Sequence, residues 1–183
     1  MVWLIFGLGL WSFSHLMKRL TPGLRARLGE GPGKGVVSLL ALVALGAMIH
    51  GYRQAEVTVL WDPPAFLRHV NNALMLVAVV LVNLGLSRGV LRTKMRHPML
   101  ISVKVWALAH LLVNGDLASL VLFGGLLAWA VVTVIVINRT QGWTPPPAGP
   151  WRNDVIYLGV SLVLFAAIVW LHGWLGYPPM GAA

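Results

Sequence analysis

Apolar residues gather in six stretches of the chain, separated by short polar and basic segments. They run over about Val2–Met17, Val36–Gly51, Val70–Leu86, Pro98–Val113, Leu117–Ile137 and Val155–Leu175. A helix that crosses a bilayer needs roughly 20 apolar residues, and about 17 suffice when its flanks snorkel. The pattern therefore predicts an all-α fold, a polytopic transmembrane helical bundle of about six spans. The fifth and sixth stretches are the clearest. The fourth is interrupted by Lys104 and His110 and is expected to be short or tilted. Pro145-Pro146-Pro147 with Pro150 cannot be helical and reads as a stiff connector. With no repeat at a fixed period and no low-complexity tract, residues 1–183 read as a single transmembrane domain.

Composition agrees. Hydrophobic residues make up 58% of the 183 positions and charged residues 10%, where a soluble domain carries about a quarter charged. The 14 basic residues against 5 acidic ones give a net charge of +9. That excess would suit an acidic partner, but no compact basic module with a groove-entering element is present, so nucleic acid is not expected and the partner is the lipid bilayer. There is no cysteine, which excludes disulfides, cysteine zinc sites and thiolate chemistry.

Placed by segment, the charges report orientation instead. Lys18, Arg19, Arg25, Arg27 and Lys34 fall in one loop, Arg88, Arg92, Lys94 and Arg96 in another, and Arg139 and Arg152 in a third. Eleven of the fourteen thus share one side, which the positive-inside rule assigns to the cytoplasm, with both termini outside. Ser12-Phe13-Ser14 imitates a signal-peptide cleavage site, but Met1–Ser14 lacks a basic residue and Lys18-Arg19 follow the apolar run. The first segment is therefore read as a retained span.

Ionisable groups at bilayer depth are costly, so each is a functional candidate. These are His15, His69, Lys104 and His110, with Asn71, Asn72, Asn83, Asn114 and Asp116 nearby, while His50 and His172 stand at span ends. Val103, Trp106, His110 and Asn114 follow 3, 4 and 4 spacing and share one helix face. An aromatic ring, an imidazole and an amide on one stripe can line a polar pocket or hold a flat cofactor; a histidine bonded to a backbone carbonyl is the plainer alternative. Lys104 reads as snorkelling or paired. Arg96 and His97, before Pro98 at a helix start, suit either an anion or a positive-inside flank. Asn114-Gly115-Asp116 reads first as a tight turn whose Asp116 caps the next helix. His15 reads as an interface residue or a ligand facing the bundle. Arg68-His69 reads as an interface anchor, or as imidazole on haem iron with guanidinium on a propionate. Trp3, Trp61 and Trp174 fit an interfacial belt, whereas Trp11, Trp106 and Trp129 lie deeper. No phosphate-binding glycine loop, spaced carboxylate pair or His-x-x-x-His motif occurs, so hydrolytic chemistry is not expected.

The residues Arg96-His97-Pro98-Met99-Leu100, Lys104-Val105-Trp106-Ala107-Leu108-Ala109-His110 through Asn114-Gly115-Asp116-Leu117-Ala118-Ser119, and Leu122-Phe123-Gly124-Gly125 resemble the core signature of the NnrU family. His15, Pro22-Gly23-Leu24-Arg25, Pro63-Pro64 with Leu67-Arg68-His69, and Trp151-Arg152-Asn153-Asp154 agree with it, so the likeness covers nearly the whole chain. The resemblance implies a multi-pass protein of the bacterial inner membrane, associated with nitrite and nitric oxide reduction. It also implies kinship to zeta-carotene isomerases, which hold haem b through histidines matching His110 and His15. On this basis haem b is the expected cofactor. His110, His15 and His69 are the candidate iron ligands, and Arg68, Trp106 and Asn114 are candidate cofactor contacts. The isomerases carry a cysteine where this chain has Ala107, so a Cys/His ligand exchange is impossible here.

Depth bears on the second ligand. At about 1.5 Å rise per residue, His15 lies near the cytoplasmic end of its span and His110 roughly 20 Å from the cytoplasmic start of its own. Axial ligands of one iron must share a depth, so either the fourth helix is tilted or re-entrant, or His69 partners His110. The leading expectation is a haem b protein of nitrite and nitric oxide reduction, or a cis–trans isomerase of an apolar polyene. A non-enzymatic accessory factor for maturation of denitrification enzymes is the alternative. A methyltransferase of the isoprenylcysteine type ranks last, because Asn138-Arg139-Thr140-Gln141-Gly142 lacks the carboxylates those enzymes carry after the corresponding span.

Overall fold

A computed structural model describes residues 1–180 and is all-α across them. Its helices are α1 (Val2–Leu20), α2 (Pro22–Arg27), α3 (Glu30–Arg53), α4 (Leu67–Val82), α5 (Pro98–Val113), α6 (Leu117–Thr140) and α7 (Arg152–Trp174). Two short 3-10 turns, Leu84–Leu86 and Leu91–Lys94, follow α4. Each predicted apolar stretch forms a helix, although the third, expected over Val70–Leu86, breaks at Asn83 after α4 ends at Val82. The helices outrun several stretches because polar flanks such as Glu30–Gly35 continue the backbone ladder. Only α2 has no counterpart among the six.

Among the described residues four helices are long and apolar enough to cross a membrane, within Gly31–Arg53, Leu67–Leu86, Leu117–Thr140 and Arg152–Trp174. As the interruption by Lys104 and His110 suggests, α5 is shorter, and its bounds coincide with the expected Pro98–Val113. Proline starts it because the first helical turn has no use for the missing N–H. The 19-residue α1 is diluted by Ser12, Ser14, His15, Lys18 and Arg19 and falls outside those four.

By packing, the chain divides into two compact units. The first comprises Met1–Asp62 and Asn114–Trp129, and the second comprises Pro63–Val113 and the chain from Ala130 onward. In the first unit α1 lies along α3. Leu4 and Gly7 of α1 are buried, as are Ala44, Met48 and Gly51 of α3. A methyl group on Gly51 would run into the backbone of Trp3 and Leu4, and one on Gly7 would come within 2.8 Å of the Ala44 oxygen and the Met48 nitrogen. Such backbone contact is how membrane helices gain association without a hydrophobic drive between them.

Asp116 caps α6 in this unit. Its Oδ1 accepts the Ser119 N–H at 2.9 Å and its Oδ2 accepts the Ser119 hydroxyl at 2.6 Å, so the turn-and-cap reading holds. With its proton committed to Asp116, the Ser119 Oγ accepts from the Tyr52 hydroxyl at 2.8 Å. The Gly115 carbonyl accepts from Leu60 N and Trp61 N, clamping the segment after α3 against the turn.

In the second unit α4 packs against α5 and α7. The Ser102 hydroxyl donates to Ala78 O at 2.7 Å, and the Tyr157 hydroxyl to Val80 O at 2.6 Å in the last turn of α4, where helical carbonyls lose their own partners. The Ser87–His97 and Asn138–Asn153 segments are tied together. Asp154, buried at 8% exposure, accepts from Val90 N at 2.7 Å and from Leu91 N at 3.3 Å. Asn153 donates to the carbonyl of Arg88, which holds the positive φ of 52°.

Asp154→Ala is expected to cost about 1–3 kcal/mol, because it strands these inward-facing N–H groups. Asp154→Asn, which keeps an acceptor oxygen, should lose less. Unfolding midpoints of the detergent-purified variants measure both, and a neutral Asp154→Ala would show that the loop does not depend on the carboxylate.

Candidate functional site: two tryptophan–histidine modules

The sequence contains Trp-x-x-x-His twice, at Trp11/His15 and at Trp106/His110. Residues four apart on a helix are neighbours on one face, with the side chain leaning toward the preceding turn. Each imidazole is therefore set over its tryptophan, with ring centroids 4.1 Å apart for Trp11–His15 and 5.0 Å for Trp106–His110. In both modules the His Nδ1–H donates to the tryptophan's own carbonyl at 2.9 Å. That bond defines the tautomer and makes Nε2 the nitrogen that can approach a metal, a common arrangement for metal-bound histidine.

Around His15, in the first unit, the module is enlarged by α6. Trp129 meets His15 edge-on at 5.2 Å and Trp11 at 5.6 Å. The Ser14 hydroxyl donates to the same Trp11 carbonyl and accepts from His15 Nδ1 at 3.2 Å. Among the described residues the buried indole N–H groups of Trp11 and Trp129 have no partner. Buried donors of this kind are costly and rare in folded proteins.

His110, in the second unit, is half-buried on α5, with Ala107 and Ala109 fully enclosed beside it. On α7 of the same unit, His172 repeats the pattern without a tryptophan, its Nδ1 donating to Ile168 O at 2.9 Å, and it lies within electrostatic range of His110. Sequence reasoning set His172 aside as a span-end residue. Trp129 was recognised as deep, but nothing in the sequence ties it to Trp11 and His15.

The remaining candidates fall elsewhere. Arg68 and His69 are both exposed at the start of α4. Asn114 is half-buried in the turn between α5 and α6, and Lys104 is half-buried on α5. Arg96 and His97 close the end of α6, a role the sequence did not reveal. The Arg96 guanidinium donates to Gln141 O at 2.6 Å, and His97 Nε2 donates to Asn138 Oδ1 at 2.9 Å. Basic groups at a helix C-terminus satisfy its open carbonyls and its dipole.

Among the described residues no three of His, Cys, Asp and Glu come together to hold a metal ion. A bare ion needs several protein ligands, whereas a haem iron, already bound by its porphyrin, needs one or two. Single, well-oriented imidazoles beside aromatic rings therefore suit a haem better than a naked ion.

Apolar spans and tryptophan-backed histidines define the class of protein, a polytopic helical membrane protein with imidazoles set inside its apolar helices. The chain belongs to the NnrU family: the family model described as NnrU protein matches residues 3–179, across both units. No curated protein and no solved structure matches it.

Proposed function

We propose that this protein binds haem b in the bacterial inner membrane and serves nitrite and nitric oxide reduction through a redox- or ligand-responsive iron. The observation that carries the reading is the repeated Trp-x-x-x-His module, in which the carbonyl bond to Nδ1 holds Nε2 as the metal-binding atom. The partnerless indole N–H groups of Trp11 and Trp129 add donors that haem carboxylates or a polar haem edge would satisfy. Bound haem would supply one-electron and ligand-binding chemistry. The protein's own part is to orient each imidazole, to stack an aromatic ring behind it and to exclude water.

Polyene isomerisation is favoured less. The isomerases' cysteine position is Ala107, whose side chain is fully buried and has no atom to exchange onto a metal. A non-enzymatic helper in denitrification remains compatible with the same haem site.

The absorption spectrum of the purified protein, from cells supplied with haem precursor, tests the reading. A Soret band that shifts on reduction is expected. Its absence, even after reconstitution with haemin, overturns the proposal. Lipid extracts of deletion and wild-type cells then separate the roles: a nitrite-reduction defect with an unchanged polyene isomer ratio supports the one proposed, and an altered isomer ratio refutes it.

A further inference from the structure

At the C-terminal end of α1 the apolar run stops at Met17, and Lys18 and Arg19 follow at once. The chain then turns through α2 into α3. Between these elements lies a cavity of about 390 Å³ lined by Lys18, Pro22, Arg25, Ala26 and Gly29, within the roughly 300–1,000 Å³ range of small-molecule sites. Two of its five lining residues are cations. Arg27 and Lys34 add exposed positive charge nearby, and Glu30 is the only acid between Lys18 and Lys34.

Arg25 is held in place, not merely present: its Nη1 donates to Gly29 O at 2.7 Å, and the guanidinium lies against Gly33, where any side chain would collide with it. A fixed guanidinium beside an exposed ammonium is a pairing suited to phosphate oxygens.

Apolar side chains decide which phosphate. Leu20 is 62% exposed and Leu24 46%, both beside the cavity's own residues in sequence, and Phe13 is 46% exposed one turn before Lys18 on α1. Cations next to exposed leucines match the boundary between headgroups and acyl chains, where a free anion would leave the leucines in water.

We propose that this cavity binds the phosphate headgroup of an anionic phospholipid, with Lys18 and Arg25 on the phosphate and Leu20 and Leu24 against the acyl chains. The site stands apart from the histidine modules and does not depend on the haem reading.

The test uses the full chain in detergent. Native mass spectrometry reads retained lipid after exposure to phosphatidylglycerol or phosphatidylcholine, and the unfolding midpoint is followed in parallel. Phosphatidylglycerol is expected to be retained and to raise the midpoint, and phosphatidylcholine is not. Lys18→Gln should weaken phosphatidylglycerol retention about fivefold, and Lys18→Gln with Arg25→Gln more than about tenfold. Arg27→Gln with Lys34→Gln removes the same charge from outside the cavity and should change retention less than about twofold. Among the described residues the Lys18 side chain makes no hydrogen bond, and it is exposed, so its single variant stays informative if Arg25→Gln unfolds. Equal losses in the two double variants, or equal retention of both lipids, would overturn the proposal. Displacement of the lipid by millimolar inorganic phosphate would also overturn it, showing a site for a free anion.

Discussion

His110→Ala is expected to abolish the Soret band of the haem-loaded protein, or to shift it with at least a tenfold fall in haem retention. Disturbing even the outer partners of a metal ligand typically costs about 10–100-fold in affinity, and removing the ligand itself should cost no less. For His110, as for His15, motif likeness and local geometry agree. The His110 Nδ1 is tied to Trp106 O and its ring is backed by the Trp106 indole.

Companion variants sharpen this. His15→Ala, His69→Ala and His172→Ala, measured alongside, identify any second ligand by the same loss. Trp106→Phe keeps the carbonyl that holds Nδ1, so the band should survive with a modest shift. Imidazole added to His110→Ala should restore the band, because it fills the vacated position; a variant that had simply unfolded would not respond. Wild-type absorption in His110→Ala would remove it from the ligand set.

The second large effect is on stability. Gly7→Ala and Gly51→Ala are each expected to cost about 1–3 kcal/mol, whereas Gly9→Ala and Gly46→Ala should be neutral or stabilise by up to about 1 kcal/mol through helix propensity. The added methyl at Gly7 or Gly51 meets backbone of the facing helix, which cannot swing aside as a side-chain tip can. At Gly9 and Gly46 it meets nothing within 4 Å. Unfolding of the four variants in mixed detergent micelles gives the comparison. Equal losses at all four positions would mean that α1 and α3 do not meet on the face described.

Much of the architecture was legible without coordinates. Membrane insertion demands long apolar helices, so six apolar runs mark six helices, and local punctuation places some ends closely. Pro98 opens α5, and Asn114-Gly115-Asp116 closes it and caps α6. The short α2 was missed because six residues with two arginines carry no apolar signature. The bonds made by Arg96 and His97 were missed for another reason. Their acceptors, Gln141 and Asn138, lie more than 40 residues away, and no local pattern announces them.

The candidate site divides the same way. Trp11 with His15 and Trp106 with His110 are pairs that helical spacing alone brings into contact, so each module is written in the local sequence. The approach of Trp129 to the first pair, and of Ser119 to Tyr52, follows from how distant helices pack.

By itself, then, the sequence determined that the chain is a helical membrane protein, where its apolar helices lie, and that His110 shares a helix face with Trp106. These are matters of hydropathy and of the 3.6-residue turn. Only the tertiary structure decided which glycines admit a neighbouring backbone, which loop Asp154 holds, and where Lys18 and Arg25 flank a cavity. The first two depend on contacts between residues remote in the chain, formed because buried polar groups must find partners and close-packed helices leave no room for a misplaced methyl, and the third on how α1, α2 and α3 fold back on one another.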